Sequence, residues 1–71
     1  MATILKSPLS GRVVTLCAEL QATVASGDAL LIVESMKMEI PVEAEGSARV
    51  AKFLVDAGDE VTEGQPLVEL Q

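Results

Sequence analysis

A spacing of 37 residues constrains this chain more than any other feature. Val13, Leu16, Val24, Gly27, Leu30 and Val33 recur as Val50, Phe53, Val61, Gly64, Leu67 and Leu70, each 37 positions later. The run Val-x-x-Gly-x-x-Leu therefore occurs twice, at Val24–Leu30 and at Val61–Leu67. Val, Gly and Leu are common and small β proteins reuse hairpins, but one spacing shared by six pairs makes coincidence the weaker reading. The sequence thus divides into two similar four-strand halves, about 1–36 and 38–71. These pack as a sandwich about a pseudo-twofold axis, in a single domain spanning 1–71.

Turn signals arrive at short intervals, and no helical period survives between them. Thr3–Lys6 reads as a strand closed by Ser7-Pro8-Leu9-Ser10-Gly11. Strands follow over 12–18, 22–24, 30–34, 38–43, 49–55, 60–61 and 67–70, with a reversal at Glu19-Leu20-Gln21 and most other boundaries marked by Gly, Pro, Asp or Ser. Pro41 lies inside the fifth of the eight, which points to an edge position or a bulge. In the sixth, Val50, Phe53 and Val55 read as inward, with Arg49 and Lys52 outward. Many short, evenly spaced strands give an all-β fold: a flattened barrel or sandwich of two four-stranded antiparallel sheets.

Composition excludes several functions. A chain of 71 residues is one domain, able to bury only about 60% of its unfolded surface. Its single Phe, with no Tyr or Trp, leaves Val, Leu, Ile and Ala to build the core. The net charge of −6 and the shortage of aromatics leave neither the basic surface nor the stacking platforms that nucleic acids need. Histidine is absent, and with it the usual general base and metal ligand. We expect no catalytic residues and no metal site. Cys17 is alone in an apolar run, so no internal disulfide forms and the thiol is expected to be buried as a small hydrophobe. The first residues lack a basic region followed by an apolar one, so no signal peptide is expected. The longest aliphatic run, Ala29–Val33, is far too short for a membrane span. A cytoplasmic, reducing setting with no membrane partner is the expectation.

Between the halves stands Glu34-Ser35-Met36-Lys37-Met38-Glu39. The chain must reverse here from one strand into the next, which predicts an exposed hairpin tip carrying Lys37. Flexible apolar side chains on an exposed turn serve no core but suit an adaptable docking surface, so Met36 and Met38 set this lysine apart from an ordinary solvated charge. A free lysine amine is protonated near neutrality and a poor nucleophile, so it needs a partner that supplies an activated acyl group and helps remove the proton. Once acylated it is an uncharged amide on a long flexible stem, and a group tethered there gains a high effective concentration wherever its arm reaches.

This hexapeptide resembles the attachment motif of the biotinyl domain family, usually written Glu-Ala/Ser-Met-Lys-Met, and the resemblance extends over essentially the whole chain. Ser7-Pro8 with Gly11-Arg12-Val13 resembles the family's first turn. Gly27-Asp28-Ala29-Leu30 and Gly64-Gln65-Pro66-Leu67 resemble its paired turns, and Gly58-Asp59-Glu60-Val61 resembles the hairpin of its second half. The resemblance implies a non-catalytic biotin carboxyl carrier with biotin joined by an amide to Lys37 and with Met36 and Met38 as the flanking residues seen by its enzymes. Glu34 and Glu39 are candidates for ligase recognition, with solvated surface charges as the even alternative. The implied partners are a biotin protein ligase, a biotin carboxylase and a carboxyltransferase, as in acyl-CoA carboxylases. With no inserted thumb segment, the chain resembles a free-standing small carrier or an excised domain.

Two other readings compete. One is a lipoyl carrier of a 2-oxo acid dehydrogenase, because the families share a fold; Met36 and Met38 argue against it, since lipoyl sites more often read Asp-Lys-Ala. The other is an unmodified interaction module. The sequence also departs from the family pattern. Gln21-Ala22 stands where Gly-Asp is frequent, which predicts a turn of different shape, and Glu45 and Ala48 replace a frequent Pro and Gly.

Overall fold

A computed structural model describes residues 3–71. Met1 and Ala2, with which the domain read from the sequence begins, lie outside them. The strands are β1 (Thr3–Lys6), β2 (Gly11–Leu16), β3 (Thr23–Val24), β4 (Ala29–Ser35), β5 (Met38–Glu43), β6 (Ala48–Phe53), β7 (Glu60–Val61) and β8 (Pro66–Leu70). They form two four-stranded antiparallel sheets, ordered β1-β8-β6-β3 and β5-β4-β2-β7, as the strand pattern predicts.

Neither sheet is one repeat half. Shifting every label of the first order by four strands gives the second, so the 37-residue repeat relates sheet to sheet, and each sheet takes two strands from each half. Backbone hydrogen bonds obey the same relation. The N–H groups of Val13 and Val50 donate to the carbonyls of Asp59 and Ala22 at 2.8 and 2.9 Å. Those of Gly58 and Gln21 donate to Val13 and Val50, both at 2.7 Å.

The core contains Val13, Val24, Leu30, Leu31, Val33, Val42, Ala44, Val50, Val55, Val61, Leu67, Val68 and Leu70, with Phe53 and Leu16 packed against it. Strict alternation would put Val50 and Phe53 on opposite faces. A register shift between Val50 and Lys52 turns both inward, and its counterpart between Val13 and Thr15 does the same for Val13 and Leu16. Two more matched shifts, in β4–β5 at Leu30 and in β1–β8 at Leu67, let consecutive residues (Leu30-Leu31 and Leu67-Val68) be buried together. Val55 is buried as expected but lies beyond β6, which ends at Phe53.

Two expectations are corrected. Cys17 is exposed, not buried. The strand ends at Leu16, short of the expected Ala18, and the N–H groups of Cys17 and Ala18 both donate to Leu30 C=O, at 2.8 and 3.3 Å. Leu16 and Ala18 pack on the core, and the residue between them faces out. The turn at Gln21-Ala22 keeps the shape of its Gly58-Asp59 counterpart. Gln21 takes φ +69° where Gly58 takes +95°, and the closing N–H to C=O distances are 3.2 Å (Ala22 to Glu19) and 3.1 Å (Asp59 to Asp56). The bonds to Val50 hold Gln21 in that conformation although its side chain disfavours it.

Candidate functional site

The site is the β4–β5 hairpin. β4 is the longest strand of the molecule, and its apolar run carries Leu30, Leu31 and Val33 into the core. Its pairing with β5 runs from Ala29↔Glu43 to Ser35↔Met38. β5 is an edge strand of its sheet. Pro41 lies opposite Ile32, three pairs below the Ser35–Met38 pair and so on the row that alternates with it, which turns its missing N–H away from β4.

The strands reach one residue further on the β4 side than the sequence suggests, to Ser35, so the reversal is a two-residue loop made of Met36 and Lys37. Both have positive φ, +52° and +65°. These are the values of a type I′ turn, which matches the right-handed twist of the strands and ordinarily takes Asn-Gly or Asp-Gly. A side chain in the left-handed region costs about 1–2 kcal/mol. Met36 and Lys37 are held there by the ladder beneath them, and such strain gathers at functional sites. The strands read from the sequence, 30–34 and 38–43, leave three residues between them, so the two-residue loop shows only in the structure.

The tip is exposed at every position that matters chemically. Met36 is 92% and Met38 64% exposed, and Lys37 lies between them, in solvent, with no ion pair among the described residues. Two surface grooves, one beside β1 and the 45–48 loop and the other between Pro8 and Pro41, include none of residues 34–39. The hairpin therefore offers an amine and two soft apolar side chains to an incoming surface, not a pocket to a small molecule.

Below the tip, Glu34 and Glu39 face each other across β4–β5, and both are exposed. Like charges directly opposite each other oppose strand pairing. On its other side Glu34 lies opposite Arg12 of β2, itself opposite Glu60 of β7. Arg12 bonds Glu60 instead, Nη2 to Oε1 at 3.3 Å, in a pair too exposed to add much stability. The structure thus brings Glu34 and Glu39 together across the strands below Lys37, with no ion pair to either carboxylate among the described residues. Arg12 and Glu60 belong to the same row, which sequence reading missed because cross-strand neighbours 22 and 48 residues apart leave no local trace.

Comparison with known proteins gives one consistent result. Residues 3–70 match the biotin/lipoyl family model described as "Biotin-requiring enzyme". The chain is 35% identical over 65 residues, 92% of its length, to the biotin-dependent acyl-coenzyme A carboxylase alpha3 subunit of Mycobacterium leprae, of which it spans 11%. It superposes with a TM-score of 0.94 at 34% identity on the urea carboxylase of Kluyveromyces lactis, covering all of this chain and 6% of that one. The lipoyl domain of the 2-oxoglutarate dehydrogenase complex from Azotobacter vinelandii superposes with a TM-score of 0.80 at 25% identity, over 97% of this chain and 96% of that domain.

Proposed function

From a chain that belongs to the biotin/lipoyl attachment family, we propose a biotin carboxyl carrier that bears biotin as an amide on Lys37. The observation that carries this reading is the two-residue loop: a lysine and a methionine held in backbone that favours Asn-Gly, on an exposed hairpin tip of an otherwise economical fold.

The residues of the tip fit such a group. Lys37 presents its amine with no competing ion pair among the described residues, and acylation removes its charge. Attached biotin supplies the capacity to take up a carboxyl group at one active site and release it at another. The protein's own part is mechanical and electrostatic. The β4–β5 ladder fixes the base of the arm, Met36 and Met38 give adaptable apolar contact to successive partners, and Glu34 and Glu39 supply uncompensated negative charge for a basic surface. The chain makes and breaks no bonds of its own in this scheme. Its partners are a biotin protein ligase, a biotin carboxylase and a carboxyltransferase; the carboxylase subunits it resembles support this assignment.

A lipoyl carrier is the second reading, favoured by the near-complete mutual coverage with the Azotobacter lipoyl domain. Intact mass after co-expression with a biotin protein ligase, and in parallel with a lipoyl ligase, separates the two. We expect one biotinyl group, avidin binding, and loss of both in Lys37→Arg with the fold retained. A lipoyl adduct alone would select the second reading, and an adduct that survives Lys37→Arg would move the site elsewhere.

A further inference from the structure

Both methionines among the described residues flank Lys37, and no methionine sits in the core. Met36 and Met38 are more exposed than any other large hydrophobic residue named on the surface, the next being Leu20 at 60%. Exposed thioethers react with hydroperoxides: the S–O bond forms as the peroxide O–O bond breaks, sulfur gives up two electrons, and the departing hydroxide takes the remaining proton and leaves as water. The product is a polar, chiral sulfoxide in place of a flexible apolar chain. At Met36 and Met38 this change falls on the contact surface and nowhere in the packing, so it alters docking while leaving the fold intact.

We propose that Met36 and Met38 are a reversible oxidation switch, in which a hydroperoxide converts them to sulfoxides and so weakens the docking of the enzymes that act at Lys37. The proposal rests on Lys37 being the attachment residue. A partner that encloses Lys37 must cover both neighbours, and a sulfoxide pressed into an apolar contact without a hydrogen-bond donor carries a desolvation penalty. Methionine sulfoxide reductases with a thiol reductant reverse the change, so the surface regains its apolar character.

The test uses the full chain carrying Cys17→Ser, which removes the exposed thiol as a second target. Dilute hydrogen peroxide is applied, oxidation at each methionine is located by peptide mass mapping, and the rate of loading by a biotin protein ligase with biotin and ATP is compared before and after. We expect Met36 to oxidise at least as fast as Met38, an unchanged far-ultraviolet circular dichroism spectrum, and loading slowed by about tenfold. Reductase treatment should restore the rate. In Met36→Leu/Met38→Leu the ratio of treated to untreated rates should return to one. Protein shown to carry a sulfoxide at both positions yet loaded at its untreated rate would overturn the switch and leave Lys37 standing. Untreated protein that takes no biotin would overturn both.

Discussion

At the scale of single residues, three side chains among the described residues sit in left-handed backbone, one in a turn bonded to another strand and two in the hairpin loop. Gln21 is held at φ +69° by bonds to Val50, in a turn whose repeat counterpart uses Gly58. Gln21→Gly should therefore stabilise the domain by about 0.5–1 kcal/mol, the left-handed penalty less the extra chain entropy of glycine. Urea denaturation measures this, and a lowered midpoint would refute it. Met36 and Lys37 are different, since nothing in the packing asks for them. Replacing them by the residues the turn prefers, Met36→Asn with Lys37→Gly, should raise stability by about 1–3 kcal/mol while abolishing attachment. An unchanged or lowered melting temperature would show that the tip stores no strain. The setting of Lys37 between two methionines is legible in the sequence because it is local. Its strained conformation is not, because one residue decides whether the loop has two members or three.

At the scale of elements, bulges and one glycine set how the strands meet. Gly11 opens β2 where a Cβ would fall on the Glu34 carbonyl oxygen and within 2.9 Å of Val33 Cγ1, so β2 and β4 approach only because that atom is missing. Its repeat counterpart is Ala48, half-buried at the start of β6, where a Cβ is accommodated. Gly11→Ala should cost about 1–3 kcal/mol, and because β4 carries the hairpin it should also slow loading of Lys37. Thermal unfolding reads the first effect as a drop of at least about 4 °C for a domain of this size, and a stability equal to wild type would show that the strands yield. The turns and apolar runs mark nearly every strand to within a residue or two. The ends of β2 and β6 escape that reading because a bulge in the middle of each strand resets the alternation ahead of its end, and the outward facing of Cys17 escapes with them.

At the scale of the whole molecule, the two halves exchange strands, so neither can complete a sheet alone. Peptides 1–36 and 38–71 should each lack a cooperative unfolding transition, because half the chain leaves β4 or β8 with only one of its two flanking strands. A cooperative transition in either peptide by circular dichroism would contradict this. By itself the sequence determined the class of fold, the repeat and the lysine at the joint, because apolar period, turn chemistry and a hexapeptide motif are all local. The tertiary structure alone decided that β8 pairs with β1 and β6, that Glu34 meets Glu39 and Arg12, and that the repeat relates sheet to sheet. Backbone N–H and C=O groups are the same at every residue, so which strand edges join is settled only when both sheets close over one core.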